Sequence, residues 1–210
     1  MRLHSYWRST AAYRVRIGLN LKGLPYEQVT HDLRVGAQAT DTYASINPQK
    51  LIPTLEVDGA VLTQSLAILE WLEETHPTPA LLPKAAVDRA LVRGMAATVT
   101  ADIHPLNNLR VLAELRGRFN ADESQINAWI AHWIGAGFTA LEALIERHGS
   151  GFAFGATPTL ADCCLVPQVY SAERFGVDLT PYPRLMAAVN AARALDAFAA
   201  AHPLQQPDAD

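Results

Sequence analysis

The chain has 210 residues, half of them hydrophobic and 18% charged, with a net charge of −4. That length holds one large domain or two small ones, each with a real core. The acidic balance excludes a general nucleic-acid or membrane-surface binder, which needs a basic face.

In chain order, "MRLHSYW" alternates as a short strand and "STAAYRVRIGLNLKG" reads as a helix. Ala12, Val15, Leu19 and Leu21 share a face of that helix, and Gly23 sits where a C-terminal glycine belongs. "YEQVTHDL" is a second strand, and "VGAQATDTYASINP" a loop with a short helix. "TLEVDGAVLT" is a pair of strands around Asp58-Gly59, a strong hairpin signal. "SLAILEWLEETHP" follows as a helix. A helix between the first two strands implies a parallel pair, and the hairpin adds an antiparallel one. The expected result is a small four-stranded mixed sheet with helices on its faces.

After "PTPALLPK", a linker by composition, no convincing strand returns. "AAVDRALVRGMAATVTADI", broken at Pro105 from "NNLRVLAEL", then "SQINAWIAHWIGAGFTALEALIERH", "TLADCCLVPQVYSAERF" and "PRLMAAVNAARAL" are helical. The chain thus divides into an α/β domain over 1–82 and an all-α domain over 86–210. No apolar stretch approaches the ~20 residues of a membrane span. The N-terminus lacks the apolar core of a secretory signal. Arg2, Arg8, Arg14 and Arg16 precede the first acidic residue, Glu27, as in a mitochondrial transit peptide, but fold-like patterning begins at residue 2.

Cys163 and Cys164 are adjacent in an apolar run and read as buried thiols in a reducing compartment. Lysine is confined to Lys22, Lys50 and Lys84, and arginine supplies the other cations. Its planar fork grips carboxylates, although coding bias explains the imbalance as well. His4, His76, His132, His148 and His202 show no metal-ligand spacing, so no metal is expected.

Three stretches carry chemistry. In "RSTAAYR", Ser9 or Thr10 is an N-cap, and the same helix start suits an anion such as a thiolate. No cysteine lies nearby, so such a thiol belongs to a ligand. In "NPQKLIPTL", Pro53 precedes an apolar strand; an ordinary turn or a cis bond fits. In "TQSLAIL", Gln64 and Ser65 open a helix, again an anion site or a plain cap. "TLADCCL" carries a capping box, Thr159 with Asp162, which reads as structural, so Asp162 is not a general base.

Together, "YWRSTAAYRVRIGL", "NPQKLIPTLEVDG", "QSLAILEWLEE", "DIHPLNNLRVL", "TLADCCLVPQVYSAERFGVDLTPYP" and "HPLQQPD" resemble the zeta class of glutathione transferases over essentially the whole chain. The resemblance implies a thioredoxin-like N-terminal domain, an all-α C-terminal domain and a cytoplasmic homodimer that binds neither nucleic acid nor membrane. Glutathione is the implied cofactor, and a small dicarboxylate the substrate. The implied reaction is cis–trans isomerisation of maleylpyruvate to fumarylpyruvate in gentisate breakdown. Maleylacetoacetate isomerisation or general conjugation is the alternative.

By the same likeness, Ser9 and Thr10 face the glutathione sulfur, and Ala11 stands where the family has cysteine. Ile52, before a cis Pro53, pairs with the cysteinyl unit; Gln64 and Ser65 hold the γ-glutamyl group; and Gln38 lies near the glycine end. His104 (in place of a frequent family glutamine), Asn108 and Arg110 close over the tripeptide. Asp102 reaches the ammonium of a neighbouring subunit's ligand, or is a solvated carboxylate. Arg8, Arg110 and Arg174 are the implied substrate-binding cations, with Arg8 and Arg174 also catalytic; a surface charge is the bland alternative, and Glu173 a possible partner for Arg174.

Overall fold

Four strands, β1 (Arg2–Ser5), β2 (Glu27–Thr30), β3 (Thr54–Val57) and β4 (Ala60–Thr63), form one sheet in the order β2-β1-β3-β4. β1 and β2 are parallel because helix α1 (Thr10–Leu21) crosses between them. Asp58 and Gly59 both have positive φ, as a two-residue hairpin turn requires, and fold β4 back on β3. Helices α2 (Asp41–Ile46) and α3 (Ser65–Thr75) complete this part. The computed structural model describes residues 1–210 in two units, Met1–Leu81 with Arg193–Asp210, and Leu82–Ala192.

α1 is buried without interruption from Thr10 to Leu19, Arg14 and Arg16 included. One apolar face does not explain that. The helix is packed from several sides, and at Gly18 it lies so close to α3 that an added Cβ would stand 2.3 Å from Leu69 Cδ2. At its end Lys22 Nζ is wholly buried, 2.7 Å from Glu73 Oε2 and 2.6 Å from the Pro79 carbonyl. Glu73 also accepts from the Leu81 amide at 2.8 Å. The start of the compositional linker is therefore pinned to the sheet unit.

The second unit is helical. α4 (Ala86–Ala97) runs into a π-helical turn over Thr98–Ile103 and a 3-10 turn over His104–Asn107, where Pro105 breaks the regular ladder. α5 (Leu109–Phe119), α6 (Glu123–His148), α7 (Leu160–Arg174) and α8 (Pro183–Arg193) follow. α6 starts in a reciprocal capping box between Asp122 and Gln125. Contrary to the sequence expectation, α6 has the length and mean apolarity of a membrane span. Its buried residues Ile126, Ile130, Ile134, Phe138, Leu141 and Ile145 nonetheless form the single stripe of a core-facing helix. α7 begins at the Thr159–Asp162 box, and Cys163 and Cys164, which form no disulfide, are fully buried.

The expected boundary needs one correction. Residues 193–210 belong with the sheet unit, not with the helical one. The cause is α9 (Asp196–Ala201), a short helix the sequence reading did not anticipate. It packs along α1, where Asn20 Nδ2 donates to the Ala197 carbonyl at 3.0 Å and Arg16 Nε to the Ala201 carbonyl at 3.0 Å.

Candidate active site

Strand direction gathers the predicted residues of the sheet unit. Ser5, at the end of β1, pairs with Thr30 at the end of parallel β2. β3 and β4 run so that Thr54 opposes His4 on one side and Thr63 on the other. The turn 6–9, the loop 31–40, the segment 51–53 and the pair Gln64-Ser65 therefore all leave the same end of the sheet. These are the stretches that hold Arg8 to Ala11, Gln38, Ile52-Pro53 and Gln64-Ser65.

Ser9 is the N-cap of α1. Its Oγ accepts from the Ala12 amide at 3.2 Å, while its own amide donates to the Tyr6 carbonyl at 2.9 Å. The capping bond uses a lone pair, so the hydroxyl proton remains available to an acceptor at the positive end of the helix. Thr10 is the first helical residue and is buried, as is Ala11. Arg8 is half-buried, with its guanidinium carbon 4.5 Å from the centre of the Trp7 ring. That cation–π contact helps to hold the guanidinium over the ring.

Ile52-Pro53 is a cis peptide, as the family likeness implies. The segment before it is pinned: the Leu51 carbonyl accepts from Tyr43 Oη at 2.7 Å and from Asn47 Nδ2 at 2.8 Å. Ile52 itself packs with Ala12 and Tyr43, which seats it against the first turns of α1.

At the third loop the cap of α3 is Gln64, not Ser65. Gln64 has φ +68° and offers no side-chain bond to the helix start. Its amide Nε2 instead donates to Gln49 Oε1 at 2.9 Å. Ser65 is buried and accepts from Arg14 Nη1 at 3.2 Å. The first turn of α3 thus lacks a side-chain cap and has a buried guanidinium behind it, two features that favour an anion. Gln38 lies half-buried in the 3-10 turn Ala37–Ala39, and its Oε1 is shielded without a hydrogen-bond partner. Asp32, which opens that loop, forms a paired-fork bridge to Arg34. The Arg34 hydrogen bonds hold the Asp32 carboxyl below its ordinary range, and the charge of Arg8 adds to this.

The helical unit carries the other predicted residues. Asp102 is exposed in the π-helical turn, and His104 starts the 3-10 turn that follows. Asn108 caps α5 by accepting from the Arg110 amide at 3.2 Å, and Arg110 is exposed in the first turn of that helix. Arg174 ends α7, exposed, with its guanidinium carbon 5.8 Å from the Tyr170 ring centre and 5.4 Å from that of Phe175. Asp162 is buried and accepts from the Ala153 amide, the Thr159 amide and the Thr159 hydroxyl at 2.8, 2.8 and 3.0 Å. Burial pushes its pKa up to about 6 against those bonds. It stays the structural residue the sequence indicated.

Three groups at this end of the sheet escaped sequence reasoning. Arg14 supports Ser65, and its only signal was a cation amid the apolar positions of α1. Gln49 engages Gln64, which no spacing foretells. His4 and His31 join ring nitrogens at 2.8 Å, with His4 Nε2 2.5 Å from Glu56 Oε1, through the pairing of three strands.

The capped start of α1, the cis-proline turn and the uncapped start of α3 thus lie together at one end of the sheet. The glutathione S-transferase N-terminal domain matches residues 3–80, and the C-terminal domain residues 127–191. The chain belongs to the glutathione S-transferase family. It is 53% identical to the maleylpyruvate isomerase of a Ralstonia species over 99% of each chain. The holo structure of a maleylpyruvate isomerase, a bacterial zeta-class glutathione transferase, superimposes with TM-score 0.98 at 53% identity over both whole chains. A maleylacetoacetate isomerase from Methylobacterium extorquens, solved with malonate and glutathione bound, gives 0.96 at 38% identity, again over both whole chains.

Proposed function

We propose that this chain is a glutathione-dependent isomerase that converts maleylpyruvate to fumarylpyruvate. The carrying observation is Ser9, which caps α1 with a lone pair and keeps its proton to donate. The residues present fit glutathione. Ser9 suits its sulfur, the Ile52–Pro53 turn its peptide, and the uncapped α3 start at Gln64-Ser65 its γ-glutamyl carboxylate. Gln38, whose Oε1 is shielded without a partner, suits its glycine end.

When bound, glutathione supplies a thiolate that adds reversibly to a conjugated cis double bond, so that rotation about a single bond becomes possible. The protein does the rest by placement and charge. Ser9 donates to the sulfur at the positive end of α1 and lowers its pKa. Thr10 lines the same helix start. Arg8, held over the Trp7 ring, grips a substrate carboxylate and stabilises charge that develops on the adjoining carbonyl. Arg110 and Arg174, both exposed on the helical unit, are assigned to substrate carboxylates as well. Asp102, His104 and Asn108 are assigned to the tripeptide. Ala11 excludes a protein thiol from that position. The working form is a homodimer, and two buried cysteines outside any disulfide suit a reducing cytoplasm.

Maleylacetoacetate is the second reading, favoured by the likeness to the malonate-bound isomerase. The test is an isomerisation assay with each substrate, with and without catalytic glutathione. Conversion that requires glutathione without consuming it supports the proposal, and the ratio of rates assigns the substrate. Binding of glutathione with no turnover of either substrate refutes it.

A further inference from the structure

The stretch "HPLQQPD" has no part in the reaction as described, yet it ends on the turn that presents Arg8 and Ser9. Asp208 Oδ2 accepts from the Trp7 amide at 3.0 Å, and its Oδ1 from Gln28 Nε2 at 3.2 Å. The other side of the same turn is held by Arg16, which donates to the Tyr6 and Trp7 carbonyls at 3.4 and 3.1 Å. The segment carrying Asp208 is itself fixed, because buried Gln206 donates to the Ala200 and His202 carbonyls at 3.0 and 2.8 Å. An exposed ion pair from Asp210 to Arg34, at 2.5 Å, adds little.

We infer that Asp208 is a positioning residue for the proposed thiolate and substrate site, acting through the Trp7 amide to fix the turn that carries Arg8 and Ser9. Trp7 is the platform on which the Arg8 guanidinium lies, and Ser9 follows two residues later. Without Asp208 the Trp7 amide has no protein acceptor, and the turn is held from its carbonyl side alone. Misplacement of a reacting group by about 1 Å costs ~100-fold in rate, so a loosened turn is felt in catalysis before it is felt in folding. Both carboxylate oxygens act as simple acceptors, so the role is one of geometry and not of charge. The inference rests on the proposed reaction only for its catalytic consequence.

The experiment compares Asp208→Ala and Asp208→Asn in the full chain. Asparagine keeps an acceptor for the Trp7 amide, and its NH₂ can donate to a flipped Gln28 amide. Asp208→Ala is expected to lower kcat by about tenfold or more. It should also raise the pH at which the ultraviolet thiolate band of bound glutathione appears, and release amide exchange at Trp7 in the glutathione-free protein. Asp208→Asn is expected to restore all three towards the parent values.

Unchanged kcat and thiolate titration in Asp208→Ala would overturn the inference, even if its melting temperature falls. Failure of Asp208→Asn to recover them would also overturn it, because charge and not geometry would then be responsible. If Asp208→Ala fails to fold, Asp208→Asn and its Trp7 exchange decide alone. If the parent protein isomerises neither substrate, the proposed reaction falls, while the thiolate titration and amide exchange still decide Asp208.

Discussion

Replacing Ser9 separates its two roles. As the N-cap of α1 it accepts from the Ala12 amide at 3.2 Å, and Ser→Ala at such a site costs about 1 kcal/mol, whereas Ser→Gly costs only a few tenths. For a chain of this size 1 kcal/mol moves Tm by roughly 2–4 °C. Ser9→Ala should therefore melt a few degrees below the parent, and Ser9→Gly close to it. On the proposed reading, both also lose the hydroxyl donor to the glutathione sulfur. Removal of a preorganised donor of that kind costs roughly 10²–10³ in kcat, so both variants should lose activity alike although their stabilities differ. Differential scanning calorimetry, the isomerase assay and a pH titration of the bound thiol measure the three quantities. A Ser9→Ala enzyme with parental thiol ionisation and rate, beside a Thr10→Ala enzyme that has lost both, would refute the reasoning and move the thiolate role to Thr10.

Three further outcomes follow from charged and titratable groups. Lys22→Met removes the buried ammonium 2.7 Å from Glu73 Oε2 and should cost about 3–5 kcal/mol, read by urea denaturation; a loss below about 1 kcal/mol would contradict a charged buried pair. Asp162→Ala leaves the Ala153 and Thr159 amides without their acceptor and should cost about 2–4 kcal/mol. Because burial raises the Asp162 pKa to about 6, its titration contributes stability fully below the ordinary value of 3.8 and loses it as pH rises through about 6. Asp162→Ala should remove that limb from a stability–pH curve. The His4–His31–Glu56 chain acts in the opposite sense. Burial and His4 lower the His31 pKa, and the His4 hydrogen bond lowers that of Glu56. Stability from both is lost on acidification, from below the ordinary histidine value of 6.5 for His31 and below 4.5 for Glu56. His31→Gln should flatten the upper part of that acid limb, and an unchanged profile would show that the chain does not titrate with folding.

Elements were legible where each has a local cause. Asp58-Gly59 demands a hairpin, the helix after β1 demands a parallel partner, and Pro105 demands a break. At the two helix starts the residues alone left an anion site and a plain cap both open, since Ser9 and Ser65 look alike as caps, and only the family likeness favoured the anion. Their environments differ in three dimensions: Ser9 is a cap, and Ser65 is a buried acceptor for Arg14. Nothing in the sequence marks Arg14 and Arg16 as buried, because periodicity reports one face, whereas α1 is covered on several. α9 escaped because six residues in an alanine-rich run have no period, and what fixes them is Arg16, some 185 positions earlier in the sequence. Long-range pairing of this kind leaves no local trace.

The sheet unit is built from both ends of the sequence, with the helical unit inserted between Leu81 and Arg193. On the ribosome the first 81 residues emerge early, yet α1 still lacks α9, and Arg16 its acceptor at Ala201. The inserted helices are completed before the body that precedes them. A single cut at residue 82 accordingly yields no finished half: it strips one wall from α1 and the Asp208 anchor from the Trp7 turn. The sheet end that carries Arg8 and Ser9 is synthesised before the inserted helices and closed only after them.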